Sequence, residues 1–439
     1  MKLRVEKAIY GGAGLARIPS DAGTSLAGKT VFVGSTLPGE VVEATIAENK
    51  RSFATGEVDT ILEPSPERIV PGCEYVPRCG GCQYQHANAA FQLQMKLDIL
   101  KETLARAHVA VAGATGTLAG PAWGYRNRIR LHVMKVPGMA PNVALGYRQG
   151  GSHNLLPVTH CPIAAPLLER AIAAVTRVAG EAESLCEEVE FFTNSEQNQL
   201  LVSLWPGTVK PQQPRVRERR LEQFAERLRA ELPELTGVGL FSEGGMAYWG
   251  EHSLTYTVAD RPYQASLGGF FQVNRFLLPD LLRLVIHDGD GRTRRGRTAW
   301  DLYSGAGLFA QALDFENVTA VESAGFSADD LKYNLAGKGH RIVRSSTLDF
   351  LRSQTRGPAQ TKPDLIVVDP PRAGLGKEIC THLGTIAAPE IVSISCDPAT
   401  LARDLQSLLP FGYTAEKIHL VDLFPQTFHM ETVTFLKLN

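Results

Sequence analysis

The chain has no apolar run near the roughly 20 residues that a membrane-spanning helix needs, so no membrane partner is expected. Its first residues, Met1-Lys-Leu-Arg-Val5, lead straight into a strand pattern without the core of an export signal, and a cytoplasmic location is expected. Cysteine is sparse and unevenly spread, seven in 439 residues, which argues against a disulfide framework and for metal binding or catalysis. Positive charge is not in excess: 45 Lys and Arg face 46 Asp and Glu, a formal net charge of −1. No global field attracts nucleic acid, and any RNA contact must come from local clusters of basic residues. Internal repeats and low-complexity tracts are also missing. With 44% hydrophobic and 21% charged residues the composition is that of a globular protein, and length alone points to two or three domains.

The most informative stretch is 391–404, Ile-Val-Ser-Ile-Ser-Cys-Asp-Pro-Ala-Thr-Leu-Ala-Arg-Asp. A short strand pattern runs into Cys396, Asp397-Pro398 stops it, and residues 400–405 read as a helix start. A thiol is thereby placed at the carboxyl end of a strand, where chemistry gathers in open α/β sheets. Cys396 is a candidate nucleophile on that ground, against the plainer reading of a packed structural cysteine.

From residue 267 onward, strand, turn and helix alternate. Asp301-Leu-Tyr-Ser-Gly-Ala-Gly307 is a strand breaking into a glycine turn, and a second strand ends in Glu322 about 20 residues on, the spacing at which an acid can bind ribose hydroxyls. A third glycine at the G-x-G-x-x-G spacing is missing and an acid precedes the loop, which favours S-adenosylmethionine over a nicotinamide cofactor. Ser346-Thr-Leu-Asp349 precedes a helix and is placed to meet an adenine, and Asp369-Pro370-Pro371 fixes a rigid turn after a further buried strand. The expected fold class is α/β, with a Rossmann-like C-terminal domain over 263–439.

Ahead of it, strand-like runs at 3–9, 30–34, 40–46 and 54–62, separated by glycine-rich turns, suggest a small β-barrel over 1–62. A central α+β domain is expected over 63–262. It opens with Cys73, Cys79 and Cys82, the last two in a C-x2-C pair on a glycine turn, and Cys161, followed by a proline, is the natural fourth ligand. Four thiolates suit either zinc or an iron–sulfur cluster, and the Cys-Pro ending leans towards iron–sulfur. A helix is expected over 91–108, bridging or packing on the catalytic domain. The run 124–133 alternates basic with apolar residues as a strand whose charged face is solvated or lies against phosphates. A helix over 215–232, with six arginines against three glutamates between 215 and 229, presents a solvated charged face.

Residues 10–17, 31–33 and 37–42 resemble the TRAM domain, an OB-like RNA-binding barrel. Together with Cys73/Cys79-Gly-Gly-Cys82 and Cys161, Gly268-Gly-Phe-Phe-Gln-Val-Asn274, Asp301–Gly307, Asp369-Pro-Pro-Arg-Ala-Gly374, Ser395–Asp404 and Glu431, they make nearly the whole chain resemble the bacterial RNA 5-methyluridine methyltransferases, in their TRAM-bearing, iron–sulfur, RlmD-like branch. The resemblance implies cofactor contacts from Gln272, Tyr303, Glu322 and Asp369, with Asp349, to S-adenosyl-L-methionine. It also implies Cys396 as nucleophile, Glu431 as proton-abstracting base, and a [4Fe-4S] cluster on the four cysteines. Two positions depart from the pattern: Asp397 stands where Asn is usual, and Gln426 where His is common. A carboxylate next to the nucleophile is expected to raise its pKa if the two are close.

Uracil C5 is too weak a nucleophile to take a methyl group unaided, and thiolate addition at C6 makes it enolate-like. The expected activity is therefore S-adenosylmethionine-dependent methylation of uridine C5 in RNA by a monomer. The substrate is 23S rRNA, or alternatively the tRNA T-loop uridine. A reading of another class is an iron–sulfur RNA-binding or redox protein without transferase activity.

Overall fold

In the computed structural model the described residues are all but 22, 24, 137–142, 183–184, 208–213, 243–244 and 357–361. They divide into two compact units. The first comprises Met1–Arg106, Arg148–Leu156 and Phe424–Met430; the second comprises Ala107–Tyr147, Pro157–Leu423 and Glu431–Asn439.

The first unit opens with β1 (Lys2–Ala8), β2 (Ala13–Arg17), β3 (Thr30–Gly34), β4 (Val41–Asn49) and β5 (Phe53–Glu63), closed into a barrel in the order β1-β2-β3-β5-β4. Alternate residues of β1 to β3 point inward, and Leu3, Ala16, Val31, Val33, Val42 and Ala54 fill the barrel. β2 falls where the sequence reading saw a glycine-rich separator: Gly11 and Gly12 turn the chain through positive φ and the short run behind them completes the barrel. α1 (Ala89–Arg106) starts where Asn88 accepts a hydrogen bond from the amide of Phe91, and buries Met95, Ile99, Leu100 and Leu104 at helical spacing. Glu40, wholly buried, accepts from Arg68 through both oxygens, at 2.6 and 2.8 Å, and from the amides of Leu37 and Ser65.

Then β6 (Gly116–Leu118), β7 (Arg128–Lys135), β8 (Val143–Arg148), β9 (Leu155–Pro157), α2 (Pro166–Ala182), β10 (Glu188–Thr193), β11 (Leu200–Trp205), α3 (Pro214–Glu231), β12 (Leu235–Ser242) and β13 (Gly245–Gly250) follow in sequence, all in the second unit except Arg148, Leu155 and Leu156, which belong to the first. Strands run in the order β13-β12-β11-β10-β7-β8. α3 buries Leu221, Phe224, Ala225 and Leu228 and turns its arginines outward, as expected. The charged face of β7 is paired, although Arg130 itself is exposed. Arg130 donates to Glu190 and Glu188 on the neighbouring β10 and its guanidinium lies 4.4 Å from the Trp205 ring centroid, while that of Arg128 lies 3.9 Å from Phe192. The antiparallel register Glu190↔Arg130 provides the counter-charges, which one strand's sequence cannot show.

A hairpin of β14 (Ser253–Val258) and β15 (Arg261–Ser266) leads to α4 (Leu278–Ile286) and an eight-stranded sheet. Its elements are β16 (Arg295–Leu302), β17 (Asp314–Glu322), α5 (Gly325–Asn334), β18 (Arg341–Arg344), α6 (Thr347–Thr355), β19 (Leu365–Val368), α7 (Gly376–Ile386), β20 (Glu390–Ser395), α8 (Pro398–Leu408), β21 (Tyr413–Val421) and β22 (Glu431–Leu438). The order is β18-β17-β16-β19-β20-β22-β21-β6, with β16 to β20 parallel and β22 antiparallel to β20. Leu365–Val368 is apolar throughout because both faces of β19 are covered. No helix among the described residues is long and apolar enough to cross a membrane.

Candidate active site

Chain order reverses beside β16, which has β17 on one side and β19 on the other. At such a switch the connections leave in opposite directions and open a crevice at the carboxyl ends of the strands. Asp301 and Tyr303 come from the end of β16, Glu322 ends β17, Asp369 follows β19 and Cys396 follows β20.

The turn after β16 is held by main-chain amides. Glu322 accepts from Gly305 at 2.8 Å and from Ser323 and Ala324 at 2.7 Å. Gly305 has positive φ and no atom within 4 Å of the position a Cβ would take, so the turn leaves open space for a ligand. Tyr303 is held at φ 62°, a left-handed conformation costly for a side chain of its size. Asp349 lies in the first turn of α6, where Ser346 caps its amide and donates to its carboxylate at 2.7 Å. Gln272 donates to Asp369 Oδ2 at 3.4 Å. Asp301 is fully buried, accepts from the Ala310 amide through Oδ2, and leaves Oδ1 without a partner. Burial pushes its carboxyl up to about 7, helped by the charges of Asp369 and Glu322. An orphaned buried acceptor beside an open glycine turn fits a cationic, hydroxyl-rich ligand such as an adenosyl sulfonium. The sequence reading noted Asp301 but gave it no role.

The register Ser395↔Thr432 between β20 and β22 brings the next residues outward, Cys396 and Glu431, to adjacent strand ends. The Thr432 hydroxyl ties the pair by donating to the Ser395 carbonyl at 3.0 Å. Glu431 is 4% exposed with Oε1 unpartnered, and burial, with the charge of Asp369, pushes its carboxyl well above the usual range. Asp369 is likewise pushed up to about 7 by burial. Cys396 is half-buried and its thiol is pushed up to about 11, first by burial and then by Glu431 and Asp369, with Arg372 pulling the other way. Arg372 had no role in the sequence reading; its place just after Asp369-Pro-Pro was the available signal. The expected effect of Asp397 needs correction, since the carboxylates weighing most on the thiol are Glu431 and Asp369. Asp397 is instead the N-cap of α8, accepting from Ala399 and Thr400 at 2.9 Å. Gln426 belongs to the first unit, where it exchanges hydrogen bonds with Gln92.

The expected metal ligands do not form a ready site. Among the described residues, which include all seven cysteines, no group of three or more His, Cys, Asp or Glu side chains is placed to hold a metal ion, and no disulfide is formed. Cys73 and Cys79 are near enough for the charge of one to raise the other, although burial is the main cause of the raised Cys79 thiol, and the Gly81 amide donates to Cys79 Sγ at 3.5 Å.

Residues 251–439 match the family model described as tRNA (Uracil-5-)-methyltransferase, and residues 1–58 match the TRAM domain. An uncharacterised RNA methyltransferase of Streptomyces coelicolor is 31% identical, over 93% of this chain and 88% of its own length. The 23S rRNA (uracil(1939)-C(5))-methyltransferase RlmD of Cronobacter sakazakii is 30% identical, over 93% and 91%. Among solved structures, the tRNA (uracil-54, C5)-methyltransferase of Pyrococcus abyssi with S-adenosyl-L-homocysteine shares the fold, with a TM-score of 0.72, 20% identity and coverage of 99% of this chain and 100% of the other. The chain belongs to the RNA uracil-C5 methyltransferase family, with an N-terminal TRAM domain.

Proposed function

We propose that the protein methylates C5 of a uridine in RNA through a covalent intermediate on Cys396. The carrying observation is the meeting of Cys396 and Glu431 at paired strand ends, with Asp369 acting on both. S-adenosylmethionine supplies an electrophilic methyl group on sulfur and leaves as the thioether. Asp301, Tyr303, Glu322, Asp349, Asp369 and Gln272 would hold it against the glycine turn, and Asp301 with its unshared Oδ1 is the added member of that set.

Cys396 thiolate adds to C6 of the uracil, and the electron pair of the C5–C6 double bond moves to C5. C5 takes the methyl group, Glu431 removes the remaining C5 proton, and the C6–S bond breaks to restore the double bond and the thiolate. A raised Glu431 pKa suits this role, because a carboxylate that binds protons more tightly is a stronger base. The target base must leave its stack to reach the thiol, which favours a loop or a remodelled strand. The relatives of RlmD type favour 23S rRNA over tRNA. The test is Cys396→Ala, expected to bind S-adenosylmethionine yet form neither 5-methyluridine nor an adduct with 5-fluorouridine RNA. Normal turnover by that variant overturns the assignment. Mapping 5-methyluridine in a deletion strain separates rRNA from tRNA targets.

A [4Fe-4S] cluster on Cys73, Cys79, Cys82 and Cys161 is part of this proposal and rests on the resemblance to the iron–sulfur branch, since the spacing alone suits zinc as well, against side chains that are not placed to hold a metal among the described residues. Anaerobically purified protein is expected to carry iron and acid-labile sulfide in equal amounts. Zinc, or no metal, rejects the cluster.

A further inference from the structure

The face of α5 carries features that the methyl-transfer chemistry does not use. Phe326 and Tyr333 are 40% and 65% exposed. They stand seven residues apart and so share one stripe of the helix, about 10 Å along its axis. The helix begins three residues after Glu322, so its start lies at the catalytic edge of the sheet and Tyr333 lies away from it. The Phe326 and Phe241 rings meet nearly at right angles, 5.7 Å between centroids, a contact that holds Phe326 while leaving it partly exposed.

Tyr333 also lines an open recess of about 420 Å³ with Arg261 and Lys338. These two cations are close enough that the Arg261 charge adds to burial in lowering the Lys338 pKa. Lys338 donates to the Gln311 carbonyl at 2.7 Å and Arg261 to that of Ala259 at 3.4 Å, but among the described residues neither forms an ion pair, although Asp260 lines the same recess. Nearby Asp329 is paired with Arg344 at 3.6 Å. Two adjacent uncompensated cations repel each other, and an anion relieves that cost. Exposed aromatic rings with cations beside them are what single-stranded nucleic acid binds, with bases on the rings and phosphates on the cations; here the two cations adjoin Tyr333, while the charge of Asp329, which lies between the two rings, is met by Arg344.

We propose that the α5 face from Phe326 to Tyr333, with Arg261 and Lys338 at its far end, is a track for a single-stranded segment of the RNA substrate flanking the target uridine. It rests on the reading of the protein as an RNA methyltransferase and adds a second anchor away from the reacting base. The track gives affinity rather than chemistry, so its loss weakens RNA binding without changing the covalent step.

Fluorescence anisotropy with a fluorescein-labelled oligouridylate of 20 nucleotides, bound to the full chain, tests it. Arg261→Ala/Lys338→Ala is expected to weaken binding about tenfold at 0.1 M salt and to reduce the slope of log K against log salt by about 1.4, since each phosphate contact on a single strand contributes about 0.7. Tyr333→Ala is expected to weaken it five- to tenfold and Tyr333→Phe to restore it, because stacking needs the ring and not the hydroxyl. Thermal unfolding and S-adenosylmethionine binding should match the wild type in all three. Affinities within twofold of wild type overturn the track, as does a change in self-association by sedimentation with RNA affinity unchanged, which would make the face a protein contact. A wild-type protein that forms no adduct with 5-fluorouridine RNA would fault the proposed function separately.

Discussion

The Cys396 thiol is the group whose environment most opposes its proposed task, and its titration is the sharpest test of the site. Burial, then Glu431 and Asp369, push it up to about 11 from a reference of 9.0. Each pH unit is tenfold in thiolate, so at pH 8 about 0.1% is ionised, against roughly 10% for a thiol of pKa 9. Alkylation of Cys396 by iodoacetamide, followed by peptide mass spectrometry, should therefore run about 100-fold slower at pH 8 than for an equally accessible unperturbed thiol. Its rate should still be rising above pH 10. The two carboxyls hold their protons higher than usual, and in their ionised form both oppose ionisation of the thiol. Glu431→Gln removes one of those charges and should move the alkylation midpoint down, and Asp369→Asn should do the same. A wild-type midpoint below pH 9, or one unmoved in both variants, refutes the electrostatic account of the site. If the account holds, a substrate base entering the crevice meets a protonated thiol, and turnover requires a proton to leave it first.

The remaining expectations concern the base and the framework. Glu431→Gln should let the covalent enzyme–RNA complex accumulate on denaturing gels, and its failure to form would point to another base. The buried Asp301 has its pKa raised to about 7, so any stability it contributes is present at acid pH and lost as pH rises through 7. Asp301→Asn should then raise the unfolding temperature more at pH 8.5 than at pH 5, while weakening S-adenosylmethionine binding in calorimetry. His86 runs the other way. Burial, then the Arg68 charge, lower it to about 4, so the folded state gives up protons that the unfolded state holds, and stability falls from pH 6.5 towards 4 by up to about 3 kcal/mol. Urea unfolding at pH 7.5 and 4.5 should show a smaller loss for His86→Leu than for wild type. Gly374 sits at φ 72°, and an added Cβ would come within 2.5 Å of Asp404 Oδ2, which accepts the Leu375 amide at the start of α7. Gly374→Ala should cost about 1–3 kcal/mol, and an unchanged unfolding temperature would contradict that geometry.

The sequence by itself determined the elements whose cause is local. The all-apolar β19, the Asp-Pro stop after β20, the amphipathic α1 and the alternating barrel strands each follow from the order of a few side chains and the geometry of one backbone segment. The ends of the catalytic strands were legible for the same reason, since Glu322, Asp369 and Cys396 stand where short apolar runs stop. Pairing between distant segments decided the rest. The counter-charges on Arg128 and Arg130 come from β10, some 60 residues on, and the capping role of Asp397 depended on which way its side chain turned. Only the antiparallel return of β22 beside β20 sets Glu431 next to Cys396, and only burial from all sides lifts both their pKa values. Register and desolvation are sums over neighbours far apart in the chain, so the tertiary structure alone fixes them.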